Sequence, residues 1–201
     1  MLKIQTFKGG YDDNFSYILY DDETKDACII DLALEPELLL DFIKENNFKL
    51  NFVVIMHSHF DHLVGFDFYK KERIVIMGFD NIKIDVDKKL KDDEIISLGN
   101  HKIKVIHTPG HIYDCICLLV ESWLFTTDCL FIDGCGRCDL AGADVKEQFK
   151  SLEKIKKLPD NTIIYPGHDY GDKPFDTLKN QKETNRFLIC EREEEFAEYR
   201  L

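Results

Sequence analysis

His57-Ser58-His59-Phe60-Asp61-His62 places three of the chain's seven histidines and an aspartate within six residues, directly after the apolar run Phe52-Val53-Val54-Ile55-Met56. A continuous apolar run of that length suits a strand buried on both faces. The strand delivers the chain into the polar cluster, where a site would be placed. Imidazole nitrogens and carboxylate oxygens suit zinc or iron, and a tight loop leaving a strand can aim His57 and His59 one way while Asp61 and His62 face another. One loop can therefore seed two adjacent metal sites. A merely solvated polar loop would have to explain three histidines here when the other four are spread over the remaining chain.

Outward from this strand, turn residues and apolar periodicity divide the sequence. Lys3 to Phe7, Phe15 to Tyr20 and Ala27 to Asp31 are β-branched or aromatic runs separated by Gly9-Gly10 and Asp21-Asp22, and they predict a meander of strands. Pro36 to Asn47 carries Leu38, Leu39, Phe42 and Ile43 at helical spacing, with proline in the first turn, and predicts an amphipathic helix. Further strands are expected at Arg73 to Met77, Lys102 to His107, Cys115 to Val120, Trp123 to Thr126 and Thr162 to Tyr165, with helices at His62 to Lys71 and Asp144 to Leu158. Strands outnumber helices and the two kinds alternate. That pattern fits an α+β fold, a four-layer αββα sandwich, better than a doubly wound parallel sheet. The tail from Glu191-Arg192-Glu193-Glu194-Glu195 onward reads as a charged helix with a solvated face.

The 201 residues fit one compact domain over 1–201, with a short helical C-terminal tail from about residue 174. A hydrophobic fraction of 44%, with 15 Phe and 8 Tyr, is enough to offset the entropy of ordering the chain and excludes disorder. Lys+Arg 26 against Asp+Glu 38 leaves a net charge of −12, the wrong sign for a surface that displaces counterions from phosphates, so nucleic acid is excluded as the main partner. The longest apolar run, Cys115 to Val120, falls far below the ~20 residues of a spanning helix, and the N-terminus lacks a signal-peptide core. A soluble, cytoplasmic protein with no membrane partner is expected. The seven cysteines are expected as reduced thiols. The one C-x-x-C pair, Cys135 and Cys138, has no second pair to complete a four-cysteine zinc site and no thioredoxin-like context, so loop thiols are expected.

Three more candidates sit at ends of predicted strands: His111 in Thr108-Pro109-Gly110-His111, Asp128 after Phe125-Thr126-Thr127, and His168 in Tyr165-Pro166-Gly167-His168-Asp169-Tyr170. Alone, each is ordinary turn chemistry. Together they complete two ligand shells. With these motifs, running from about Leu2 to Leu188, the chain resembles the metallo-β-lactamase-fold hydrolases. The H-x-H-x-D-H signature falls on His57 to His62. The loop Gly134-Cys135-Gly136-Arg137 and the run Tyr165 to Tyr170 are similar to those of the glyoxalase II and persulfide dioxygenase branch.

The resemblance implies that His57, His59 and His111 bind one metal, that Asp61, His62 and His168 bind a second, and that Asp128 bridges them. It makes Asp61 and Asp128 the catalytic carboxylates of a site for two divalent ions, zinc first, with iron or manganese as alternatives. A hydroxide between the ions would attack the thioester or ester of a small acidic thiol. Arg137 could fork a carboxylate of that small-molecule substrate or form an internal salt bridge, and Tyr170 would lie against a glutathione moiety. Asp31 resembles an aspartate that supports a ligand in this fold, with a turn or capping role as its alternative. His101 and His107 match no ligand position.

Some positions depart from the family pattern. Thr127 stands where glycine is usual, and Ile112-Tyr113-Asp114-Cys115 replaces a stretch of small residues, which would narrow the mouth of the site. Only 33 residues follow His168, where full glyoxalase II has a helical substrate domain. Asn185-Arg186-Phe187-Leu188 resembles a remnant of it. The rival activity is a mononuclear-iron persulfide dioxygenase using the positions of His57, His111 and Asp128. A non-enzymatic, metal-stabilised binding module ranks last, because all seven ligand positions are filled. A homodimer is left open.

Overall fold

Six strands pair in chain order into one sheet: Leu2–Gly9 (β1), Asn14–Asp21 (β2), Asp26–Ile30 (β3), Lys49–Val54 (β4), Ile76–Phe79 (β5) and Lys88–Leu90 (β6). The first three are antiparallel and the last four run parallel. A second sheet holds Ile95–Leu98 (β7), His101–His107 (β8), Ile116–Val120 (β9), Trp123–Thr127 (β10), Ile163–Pro166 (β11) and Asp176–Thr177 (β12), antiparallel except for the β10/β11 pair. This computed structural model describes residues 1–200; Leu201, the end of the expected tail, lies outside them.

Period-two alternation builds the layers. From Phe52 on, Phe52, Val54 and Met56 join one buried cluster while Val53 and Ile55 join another. The first cluster also takes Ile103, Val105, Ile116 and Leu118 from the opposite sheet, so it is the core between the sheets. Val53 and Ile55 pack instead on Leu39 and Ile43 of the helix Pro36–Glu45 (α1) and on Tyr69 of Phe66–Lys71 (α2). Across the molecule, Cys117, Leu124 and Ile164 pack on Leu152 and Ile155 of Val145–Lys156 (α3), on Leu178 of Leu178–Thr184 (α4) and on Phe187 of Arg186–Ile189 (α5). Two helix layers thus flank two sheets, the expected αββα sandwich. Asp144 starts α3 by accepting from the amides of Lys146 and Glu147.

Local differences from the sequence reading have local causes. The helix expected from His62 begins at Phe66, because Phe60–His62 is a tight 3-10 turn that spends its amides on His59 and Phe60. β5 starts at Ile76 rather than Arg73, because Arg73 takes a positive φ of 59° and Ile74 donates back to Tyr69, closing α2. The short edge strands β6, β7 and β12 were not anticipated, lacking apolar runs. The tail is corrected most: Glu193–Arg200 (α6) is not simply a solvated face, since Phe196 is fully buried with its ring 5.7 Å from Phe149 and 5.9 Å from Phe187. Among the described residues, no helix is long and apolar enough to cross a membrane.

The tail is therefore part of the fold. Phe196→Ala should lower stability in urea unfolding by about 3 kcal/mol, the usual loss for a buried phenylalanine. A midpoint unchanged from the parent would return α6 to the solvent.

Candidate metal centre

The ends of β3, β4, β10 and β11 meet at one edge of the sandwich, where backbone bonds stitch the sheets together. Phe15 donates to the Gly167 carbonyl at 2.8 Å, Asp169 to Asp13 at 3.0 Å and Ile116 to Met56 at 3.0 Å. The turns leaving these strands carry the polar residues into the seam. Chain segments come very close there. A Cβ on Gly167 would lie 2.5 Å from Asp128 Oδ1, and one on Gly136 would overlap the Asp128 carbonyl and lie 2.8 Å from the His111 ring. Only glycine fits at either place.

Four of the five imidazoles, all but His59, are held by one nitrogen and present the other. His168 Nδ1–H donates to the Asp12 carbonyl at 2.7 Å, His111 Nδ1–H to the Arg137 carbonyl at 2.8 Å, and His62 Nδ1–H to Asp31 Oδ2 at 2.7 Å. His57 Nδ1–H donates to Thr127 Oγ1 at 3.1 Å. In the neutral rings these bonds select the Nδ1–H tautomer and put the lone pair on four Nε2 atoms, which converge. His62 Nε2 lies 3.2 Å from His168 Nε2, and His111 Nε2 lies 2.8 Å from His59 Nδ1. The facing lone pairs of His62 and His168 suit a cation between them. His57 Nε2 and Asp128 Oδ1 are buried without any hydrogen-bond partner.

The donors facing the cavity sort into two groups, His57 with His59 and His111, and Asp61 with His62 and His168, and a third cluster, Asp31 with His57 and His62, lies on the Nδ1 side of those rings. Asp128 stands between the two cavity-facing groups. Its Oδ2 lies 3.4 Å from His111 Nε2 and 4.0 Å from His57 Nε2, while its Oδ1 lies 3.4 Å from His62 Nε2 and 3.3 Å from His168 Nε2. Asp31, at 2.7 Å from His62, sits on the Nδ1 side and orients that ring rather than facing the Nε2 atoms. The donor set fits divalent metal ions.

Burial and charge set the proton affinities apart. Burial pulls His57, His59 and His111 below the ordinary imidazole value, His59 down to about 4 with help from His111. Burial also works against the charged forms of His62 and His168, but Asp31, Asp61 and Asp128 around His62, and Asp128 with the Asp12 carbonyl at His168, outweigh it and raise both. Asp61 and Asp128 stay well below the carboxylate range, because neighbouring imidazoles, His62 foremost, overcome their burial.

Several residues here escaped the sequence reading. Asn14, fully buried at the start of β2, donates to Asp61 Oδ2 at 3.0 Å across 47 residues of sequence. Gln148 of α3 accepts from the His111 amide at 2.8 Å, and Asp114 accepts from the Ser58 amide at 3.3 Å between two ligand positions. Thr127 holds a positive φ of 41°, costly for a β-branched residue by ~1–3 kcal/mol. Its signal in the sequence was the missing glycine.

The expected substrate residues line a cavity of about 480 Å³ over the donors. Arg137 is already engaged, its Nε and Nη2 donating to the two Asp139 oxygens at 2.6 Å each. Tyr170 stacks on His168 at 4.7 Å and donates to the Asp12 carboxylate at 2.5 Å. Arg200 of α6 lines the same cavity. The expected narrowing by Ile112 and Tyr113 is corrected: both turn into the α3 layer and neither lines the cavity. Burial pushes the Cys135 and Cys138 thiols up to about 12 and about 11, so they are unreactive at neutral pH. His101 pairs with Asp21 and His107 stacks on Phe79, both away from the site.

A metal-binding αββα sandwich is the class that this fold and donor set define. A model of the metallo-beta-lactamase superfamily matches residues 67–168, half of the chain. The chain belongs to that superfamily, in the branch of the glyoxalase II and persulfide dioxygenase enzymes. It is 29% identical over 195 residues to the probable polyketide biosynthesis zinc-dependent hydrolase BaeB of Bacillus velezensis, covering 93% of this chain and 87% of that protein. It is 35% identical over 181 residues to the hydroxyacylglutathione hydrolase of Dictyostelium discoideum, covering 84% of this chain and 64% of that longer protein. Among solved structures, ETHE1 from Myxococcus xanthus superposes with a TM-score of 0.90 at 25% identity, covering 96% of this chain and 88% of that one.

Two outcomes follow for metal binding. Asp128→Asn, which keeps the volume but removes the shared charge, should leave at most one tightly held ion per chain by elemental analysis. In acid, protons compete best where imidazole affinity is raised, so equilibrium dialysis at falling pH should empty the Asp61, His62 and His168 group before the other. Simultaneous loss from both groups would contradict that order.

Proposed function

We propose that this protein is a two-zinc hydrolase of the glyoxalase II type, cleaving the thioester or ester of a small acidic thiol. The observation that carries the reading is the second donor group. A mononuclear centre needs only one, yet Asp61, His62 and His168 converge on a second point, with Asp128 Oδ1 turned toward it. Divalent ions held by His57, His59 and His111 and by Asp61, His62 and His168, with Asp128 between, would provide an activated water, with its pKa lowered from ~15.7 towards ~7, and a polarised carbonyl. Zinc is favoured by the imidazole and carboxylate donors and by the similarity to a protein described as zinc-dependent.

The chain's own residues then bind and orient. Asp61 and Asp128 remain ionised throughout neutral pH and fix the charge of the site. The Tyr170 ring, laid over His168, walls the cavity beside the reacting carbonyl. The acidic end of the substrate meets Arg137. Its bond to Asp139 is half-exposed and screened by solvent, so a substrate carboxylate can take the fork over.

The second reading, a mononuclear-iron persulfide dioxygenase, is favoured by one likeness, the superposition on ETHE1. It would use the two-histidine, one-carboxylate face of His57, His111 and Asp128. Metal content of protein purified with and without added iron, together with thioester hydrolysis and oxygen uptake on glutathione persulfide, separates the two. Two zinc ions with hydrolysis support the first; one iron with oxygen uptake overturns it.

Arg137→Ala should raise KM about tenfold for an acidic thioester and spare kcat, because a remote charge-assisted bond serves ground and transition states alike. A neutral thioester of the same acyl group should be unaffected. Equal losses on both would leave Arg137 as the partner of Asp139 alone.

A further inference from the structure

A strained local conformation lies beside a fully buried donor, His57. Thr127 ends β10 with a positive φ of 41°, at a register shift against β11, where glycine would sit without strain. Its side chain is buried. Its hydroxyl has one proton, and that proton goes to Asp31 Oδ2 at 2.9 Å, since a carboxylate only accepts. The same oxygen must therefore accept from His57 Nδ1–H at 3.1 Å. Asp31 Oδ2 accepts once more, from His62 Nδ1–H at 2.7 Å.

The result is an unbroken chain from His57 through Thr127 and Asp31 to His62, running behind both donor groups. His111 and His168 are oriented by backbone carbonyls, which any residue supplies. His57 is oriented by a side chain alone. Its Nε2, fully buried and without a partner, is the atom this bond holds free of a proton. A glycine at 127 would leave the His57 Nδ1 without that acceptor and the ring free to change tautomer.

We propose that Thr127 is a positioning residue. Its hydroxyl holds His57 as the Nδ1–H tautomer and, through Asp31, ties that ring to His62, so that the two donor groups are set as one unit. This rests on the reading of those groups as metal sites, and it explains why a strained threonine is kept where glycine fits.

The test compares Thr127→Gly, which suits the backbone and removes the hydroxyl, with Thr127→Ser, which keeps it. In metal-free protein, the His57 ring N–H should give a protected nitrogen-correlated proton resonance in the parent and in Thr127→Ser, and none in Thr127→Gly. Zinc affinity, by competition with a chromophoric chelator, should fall about ten- to a hundredfold in Thr127→Gly and recover in Thr127→Ser. Thr127→Gly holding zinc as tightly as the parent would overturn the proposal. So would Thr127→Ser as weak as Thr127→Gly, which would leave the backbone responsible. A parent that binds one zinc instead of two removes the two-metal reading but not this comparison, because the ring N–H is read without metal.

Discussion

The carboxylate of Asp128 is the contact on which the rest of the structure depends. It is nearly buried, it stays ionised, and one of its oxygens faces each donor group. A charge in that position is tolerable only if every neighbour is arranged around it. Hence the close glycines at 136 and 167, which let backbone pass where a Cβ would collide, and hence the carbonyls and carboxylate that hold imidazole protons away from it. The two sheets must meet at this edge, because His57 and Asp61 follow a strand of one while Asp128 and His168 follow strands of the other. Sandwich and site are thus a single solution to one electrostatic problem.

What could be read from the sequence is what local chemistry encodes. The run Phe52 to Met56 leading into His57 marked both a buried strand and the start of the site. Asp144 before an apolar helical period marked α3. His111, Asp128 and His168 were visible because each follows an apolar run and a turn at the end of a strand. The hidden residues act over distances that no window spans. Asn14 reaches Asp61 across 47 residues and Thr127 reaches Asp31 across 96, and an asparagine or threonine has many ordinary uses. The tail misled for a similar reason. Seven residues of α6 are not fully buried, and one phenylalanine, Phe196, decides its packing.

Ligand shell and cavity rim are built to different standards. Four of the five imidazoles are each fixed by a hydrogen bond on the far side of the ring, as a preorganised site requires. The rim comes from turns and from the tail: Tyr11 and Phe60 are largely exposed and meet edge to face at 5.4 Å, Arg137 pairs with a half-exposed Asp139, and Arg200 enters from α6. Exchanging one of these contacts for a substrate contact costs little, whereas exchanging one behind the donors would uncover a buried charge.

That asymmetry accounts for how the departures from the family pattern are distributed. Ile112 and Tyr113, which the sequence placed at the mouth, are absorbed by the α3 layer without touching the cavity. Thr127, which looked like a small change, falls behind the donors and strains the backbone. A substitution at the rim can alter which substrate enters and leave the ions as they were. A substitution behind the donors must be matched by its neighbours, and here it is: the added hydroxyl finds both an acceptor in Asp31 and a donor in His57, so the strained position has its polar side chain fully bonded.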